Sequence, residues 1–234
     1  MLQHIKFLTA GESHGKGLSG ILEGFPAGVP LSEGLIAKDL ARRQMGHGRG
    51  GRMSIEMDHA EILSGLRHGY TLGSPIALWI QNRDWENWKQ EKMSHDAPLT
   101  PVPEVTLPRP GHADLAGTQK FGFSDIRNVL ERSSARETAM RVALGAVCRA
   151  FLKELGVEIV SHVIQIGPIK AQRKSDHAFK SLNTVADASD VRCLDENAAQ
   201  AMIKHIDVTR KAGDSVGGVF EVLASGLPPG LGSY

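Results

Sequence analysis

Aromatic side chains are scarce in this sequence: seven Phe, three Trp and two Tyr stand among 234 residues. Cysteine is scarcer still. Cys148 and Cys193 build no disulfide scaffold and read as reduced thiols of a cytosolic protein. No apolar run approaches the roughly 20 residues that a membrane-spanning helix needs, and the longest lies around Pro75 to Ile80. The polar GESHG that follows the first ten residues is unlike the apolar centre of a secretory signal. Surplus charge is missing too, because 27 Lys and Arg face 26 Asp and Glu, a formal net charge of +1. That balance argues against a general polyanion binder. Metal-ligand spacings, a GxGxxG after a strand and a Walker A loop are all absent.

Glycine is what the chain has in excess, 26 residues in all, without the period of a fibrous protein. Such glycine marks sharp turns and close approach of backbone to a ligand. The pattern is mixed α and β, read as one domain over 1–234 with a long loop, 82–110, inside it. Strands are predicted at Ile5–Thr9, Leu18–Leu22, Met53–Met57, Ala60–Leu66, Pro75–Gln81, Ile159–Ile166 and Gly218–Ala224. Ser32 is placed to cap a helix carrying Leu35, Ile36 and Leu40 that stops at Gly46. The longest helix is predicted over Ser134–Leu155, and a shorter one over Glu196–Ile206. An internal echo links LSGILE, leading directly into Gly24-Phe25-Pro26-Ala27-Gly28, with VGGVFE, leading four residues later into Gly226-Leu227-Pro228-Pro229-Gly230. It reads as either a duplicated strand-turn unit or chance among glycine-rich turns.

Three segments carry chemistry. Between Leu40 and Ile55 lie Arg42, Arg43, Arg49 and Arg52 with interleaved glycines and no acid. Guanidinium forks and bare backbone amides suit a multiply anionic small molecule; the competing readings are a solvated basic loop and an RNA contact. Around Arg132-Ser133-Ser134-Ala135-Arg136-Glu137, Ser134 and Glu137 have the spacing of a capping box, which would turn a helix N-terminus toward an anion. His14, in GESHG, and His112, in RPGHAD, supply imidazoles for proton transfer near neutral pH.

In this order, GESHG, RRQMGHGRGGRM, PRPGHAD and RSSARETAMRVALGA resemble chorismate synthase, and the similarity runs from His14 to the terminal GLPPGLGSY. The resemblance implies an α+β fold, a β-α-β sandwich with internal pseudo-symmetry, whose C-terminal part is missing from these residues. It implies a lyase of the shikimate pathway, in aromatic amino acid biosynthesis. The reaction is an anti-1,4-elimination of phosphate from 5-enolpyruvylshikimate-3-phosphate, using reduced FMN without net redox change. By that similarity Arg43, Arg49, Arg52, Arg109 and Arg136 hold the substrate's two carboxylates and phosphate. His14 protonates the departing phosphate and His112 faces the flavin. Arg132, Ser133 and Ser134 line the flavin, with Ser13 and Ala135 as secondary contacts. A cytoplasmic homotetramer, with no membrane or nucleic-acid partner, is the expected assembly; NADPH is the candidate reductant of the flavin, with borrowed reduced flavin as the other source.

Family chains continue past the GLPPG turn into further flavin contacts, another arginine and an aspartate for proton removal. The expectation is therefore a longer natural protein, and no turnover by residues 1–234 alone. Two other readings stand beside the leading one: an inactive truncated homologue with an assembly role, and an RNA-binding module acting through the Arg/Gly loop.

Overall fold

A computed structural model describes residues 4–48, 57–89, 92–98, 100–172 and 178–231. The chain, read from its sequence as one domain, divides by residue proximity into two compact units. One holds Met1–Arg43 and Glu56–Cys148, the other Gln44–Ile55 and Arg149–Tyr234.

The first unit is built on an antiparallel sheet of β1 (Lys6–Gly11), β2 (Gly17–Glu23), β7 (Ile76–Gln81) and β4 (Glu61–Ser64), in that spatial order. Alternation decides which face is buried. Leu18, Gly20 and Leu22 of β2 pair with Ile80, Leu78 and Ile76 of β7, so all six share one side. Each of those five large side chains is fully buried, worth about 1.5–3 kcal/mol apiece. The helix α4 (Thr138–Glu154) comes down on this face. A Cβ at Gly20 would meet Met140 Sδ at 2.6 Å and Leu144 Cδ1 at 3.0 Å. Ala139, Ala143 and Ala146 are buried along the same helix, and small residues of this kind let helix and sheet approach without large rings. The expected helix over Ser134–Leu155 thus forms, but opens with a 3-10 turn at Ala135–Glu137.

A second, small sheet joins β3 (Ala27–Pro30), β6 (Tyr70–Leu72) and β5 (Leu66–Arg67). The helix α1 (Glu33–Gln44) starts as its cap predicts: Ser32 Oγ accepts the Leu35 N–H at 3.3 Å, and Ile36 and Leu40 are buried. The strand expected at Met53–Met57 falls outside the described residues except for Met57, which is not in a strand. The stretch 82–110 begins with a 3-10 turn at Arg83–Asn87, and its other described residues form no helix or strand. Two short helices that the sequence reading lacks follow it, α2 (Asp114–Phe121) and α3 (Arg127–Leu130).

In the second unit β8 (Glu158–Ile166) lies between β9 (Ile169–Lys170) and β10 (Gly218–Ser225). The helices α5 (Leu182–Asp187) and α6 (Glu196–Lys211) complete it. Asp195 caps α6 by accepting the Ala198 N–H at 3.2 Å, and Val191, Cys193, Ala199 and Met202 form the buried cluster beneath. Both cysteines are free.

The glycine turns of the sequence echo also agree in geometry, with the second strand in a register shifted by four residues. β1 pairs with β2 from Lys6↔Glu23, and β8 pairs with β10 from Glu158↔Ser225, each antiparallel. The residue after each outgoing strand is a left-handed glycine, Gly24 at φ 76° and Gly226 at φ 77°. The second glycine of each turn agrees as well, Gly28 at 81° and Gly230 at 88°. A Cβ on Gly24 would lie 1.9 Å from His4 O, and one on Gly226 2.2 Å from Gly156 O. Gly24→Ala and Gly226→Ala should each lower stability by about 1–3 kcal/mol, read as a fall in the thermal midpoint. An unchanged midpoint in both variants would show that the turns open without cost.

Candidate functional site

The loop from β1 to β2 carries Ser13 and His14, and Asn82 holds it closed from the end of β7. Asn82 Nδ2 donates to Glu12 O and Gly15 O, each at 2.9 Å, and its backbone N–H donates to Lys16 O at 3.1 Å. Its remaining side-chain atom, Oδ1, accepts from Arg136 Nε at 2.9 Å. A second guanidinium nitrogen of Arg136, Nη1, pairs with Asp58. Arg43 reaches the same carboxylate, Nη1 to Oδ2 at 3.4 Å, while its Nη2 donates to Ala135 O at 2.9 Å. Two arginines from α1 and the start of α4 therefore converge on one buried aspartate. Burying such charges is tolerable only because each fork is matched by an acceptor.

Histidine 14 is held on three sides. Glu131, 2% exposed, accepts the His14 backbone N–H at 2.8 Å and lies 2.9 Å from Nδ1 through both carboxylate oxygens. The imidazole stacks on Trp88 with centroids 3.8 Å apart and planes at 23°. Ser13 N–H donates to Glu131 O at 3.0 Å, and the Ser13 and Ser134 hydroxyls are 3.1 Å apart. The serines and His14 are thus joined to the approach of α4.

Arg109 and His112 gather around Asp114, the first residue of α2. Arg109 Nε and Nη2 each donate to the Asp114 carboxylate at 2.8 Å, and His112 Nδ1 is 3.7 Å from Oδ1. Arg132, expected at the flavin, is occupied with β1: it donates to Thr9 O and Thr9 Oγ1 at 2.8 Å and pairs with Glu137 at 3.6 Å. Arg49 and Arg52 lie outside the described residues.

Two expectations need correction. The capping box is one-sided, since Ser134 Oγ accepts the Arg136 N–H but Glu137 turns instead to Thr9, Arg141 and Arg132. Burial pushes the Glu137 carboxyl up, yet the hydrogen bonds from Arg141 and Thr9 bring it below its ordinary value. The arginine-lined pocket without acids is not what forms either. Asp58, Asp114 and Glu131, all buried, stand among the arginines and histidines that the sequence singles out.

A family model described as chorismate synthase matches residues 5–234. The chain belongs to the chorismate synthase family. It is 52% identical to a chorismate synthase of Listeria innocua serovar 6a over 237 residues, covering 98% of this chain and 60% of the relative. A Moorella thermoacetica chorismate synthase is 56% identical over 230 residues, covering 98% and 59%. A solved structure titled as a crystal structure of chorismate synthase aligns with TM-score 0.75 and 44% identity, over 96% of this chain and 59% of that one. The chain therefore spans about 60% of the length of the curated relatives it matches, and over that span it is an α+β protein with the chorismate synthase fold.

Four residues of the site went unassigned in the sequence reading: Asp58, Asn82, Trp88 and Glu131. Asp114 was quoted within its motif but given no task. Its pairing has a measurable consequence. The Arg109 hydrogen bonds outweigh burial and hold the Asp114 carboxyl down at about 2, while Arg109 is raised in turn. A depressed carboxyl contributes its stability in full above its unfolded value near 4, and loses it as pH falls through about 2. Arg109 is 42% exposed, so solvent screening trims the contribution to about 1–2 kcal/mol. Asp114→Asn should therefore be less stable than the parent at pH 7 by that amount, with the gap closing between pH 4 and 2 in acid denaturation. A gap constant with pH would assign the loss to packing.

Proposed function

We propose that this protein acts as a chorismate synthase, eliminating phosphate from 5-enolpyruvylshikimate-3-phosphate to give chorismate. The observation that carries the reading is the joining of His14 to the Arg43–Asp58–Arg136 cluster through Asn82. A leaving phosphate needs a proton donor beside cationic forks, and this arrangement supplies both from one framework. Arg43 and Arg136, with Arg49, Arg52 and Arg109, would bind the two carboxylates and the phosphate. Asp58 fixes two of these forks in advance, so less freedom is lost when the anion is bound. His14 would give its proton to the phosphate oxygen as the C–O bond breaks.

The donor set also fits a flavin. Ser133 Oγ is a buried hydroxyl without a hydrogen-bond partner among the described residues, and buried polar atoms ordinarily have one. Ser133 and Ser134, with Ala135 and Arg132 nearby in sequence, would line reduced FMN, and His112 would face its ring. When bound, reduced FMN would supply electron density for the elimination with no net redox change. NADPH-driven reduction of that flavin, a homotetrameric assembly and a cytoplasmic setting belong to the same proposal. The RNA-binding reading gains no support from Arg43, Arg109 and Arg136, which are turned onto buried carboxylates; Arg49 and Arg52 of its loop lie outside the described residues.

The test is anaerobic turnover by the natural protein with reduced FMN and 5-enolpyruvylshikimate-3-phosphate. Chorismate should form, and His14→Ala should lower the rate by about 10²–10⁴-fold with flavin affinity kept. Absence of chorismate from the parent protein, or a wild-type single-turnover rate in His14→Ala, would overturn the proposal.

A further inference from the structure

Glu131 ends the four-residue helix α3 and is 2% exposed, while His14 lies 117 residues earlier in the chain. Two backbone bonds already anchor the loop there: Ser13 N–H to Glu131 O at 3.0 Å and His14 N–H to Glu131 Oε2 at 2.8 Å. Anchoring needs nothing more. The carboxylate nevertheless also engages the ring, with both oxygens 2.9 Å from Nδ1. An ionised carboxylate only accepts, so the Nδ1 opposite it must carry a hydrogen. A cation, Arg127 Nη1, lies 3.8 Å from Oε1 of the same carboxylate.

The ring plane is fixed separately. Trp88 stacks on His14 at 3.8 Å and is itself held by Nε1 donating to Asp84 Oδ2 at 2.9 Å. Lys92 Nζ at 4.8 Å and the Arg127 guanidinium at 5.6 Å also face that indole. Carboxylate and indole thus constrain different degrees of freedom of one imidazole: the first its tautomer and rotation, the second its tilt.

We propose that Glu131 is a positioning residue that holds His14 by Nδ1–H, so that Nε2 is the ring atom through which the proton passes, with Trp88 fixing the ring plane. The part concerning proton passage rests on the reaction assigned above; the part concerning the tautomer does not. When the Nε2 proton is transferred to an acceptor oxygen, the ring becomes the neutral Nδ1–H tautomer, which Glu131 continues to bind. The carboxylate neither gains nor loses a proton. An imidazole free to rotate or to exchange tautomers would present the wrong nitrogen for part of the time.

Ring nitrogen NMR on the natural protein labelled with ¹⁵N-histidine tests this without substrate or flavin. His14, assigned by the loss of its signals in His14→Ala, should show a protonated Nδ1. A lone pair at Nδ1 in the unmodified protein would overturn the proposal, whatever reaction is catalysed. In Glu131→Gln the carboxamide can donate to Nδ1, and the ring should shift to the Nε2–H tautomer. In turnover, that variant should lose about 10²-fold in kcat with KM for the phosphorylated substrate changed less than about twofold. Glu131→Asp, which keeps the carboxylate, should keep the tautomer and recover part of the rate. Trp88→Leu keeps the carboxylate and serves if Glu131→Gln fails to fold; it should retain Nδ1–H yet lower kcat. A Glu131→Gln protein that switches tautomer at unchanged kcat, or a Trp88→Leu protein at unchanged kcat, would overturn the positioning role. Loss of turnover in the unmodified protein would count against the assigned reaction, and the NMR result would still decide the tautomer.

Discussion

Asn82 has one carboxamide and every part of it is engaged. Its two donated bonds close the loop that carries His14, and its single accepted bond holds Arg136. Its backbone carbonyl accepts from Trp85 N–H at 3.2 Å, starting the turn that leads to Trp88. With 1% exposure, no water stands ready to replace a lost partner. The loop carrying His14, the Arg136 fork and the indole stacked on the imidazole are therefore referred to one buried amide at the end of β7. Rearranging any one of them disturbs a bond to the residue that also holds the others.

Charge in this site is balanced internally before any anion arrives. Arg43 and Arg136 share Asp58, Arg109 is matched by Asp114, and His14 lies against Glu131. Matched forks keep their geometry, which is what bidentate recognition of carboxylate or phosphate requires. The same matching fits a chain whose formal net charge is +1.

Much of the fold was legible because its signals are local. Alternation in β2 and β7, the Ser32 cap of α1 and the helical spacing in α4 each depend on residues within one element. The helices α2 and α3 escaped because they are brief and follow a proline-rich stretch that reads as loop throughout. The site divides the same way. His14, Arg43, Arg109, His112 and Arg136 stand in glycine-rich or arginine-rich motifs that announce an anion. Asp58, Asn82 and Glu131 are single residues with partners 54 to 117 positions away: Arg136 for Asp58 and Asn82, His14 for Glu131. Adjacent letters even part company: Glu131 serves His14 while Arg132 ties down β1. No periodicity encodes such pairings.

The matching turns after β2 and β10 show which letters such a turn demands. Along the strands, any side chain of suitable size satisfies a given inward or outward position, so the two strand pairs need not be alike in sequence. At Gly24 and Gly226 a carbonyl occupies the space of a first side-chain carbon, and only one residue in the alphabet passes. The likeness of the two strand pairs is therefore sharpest where the chain turns, at glycines whose first side-chain carbon would meet a carbonyl.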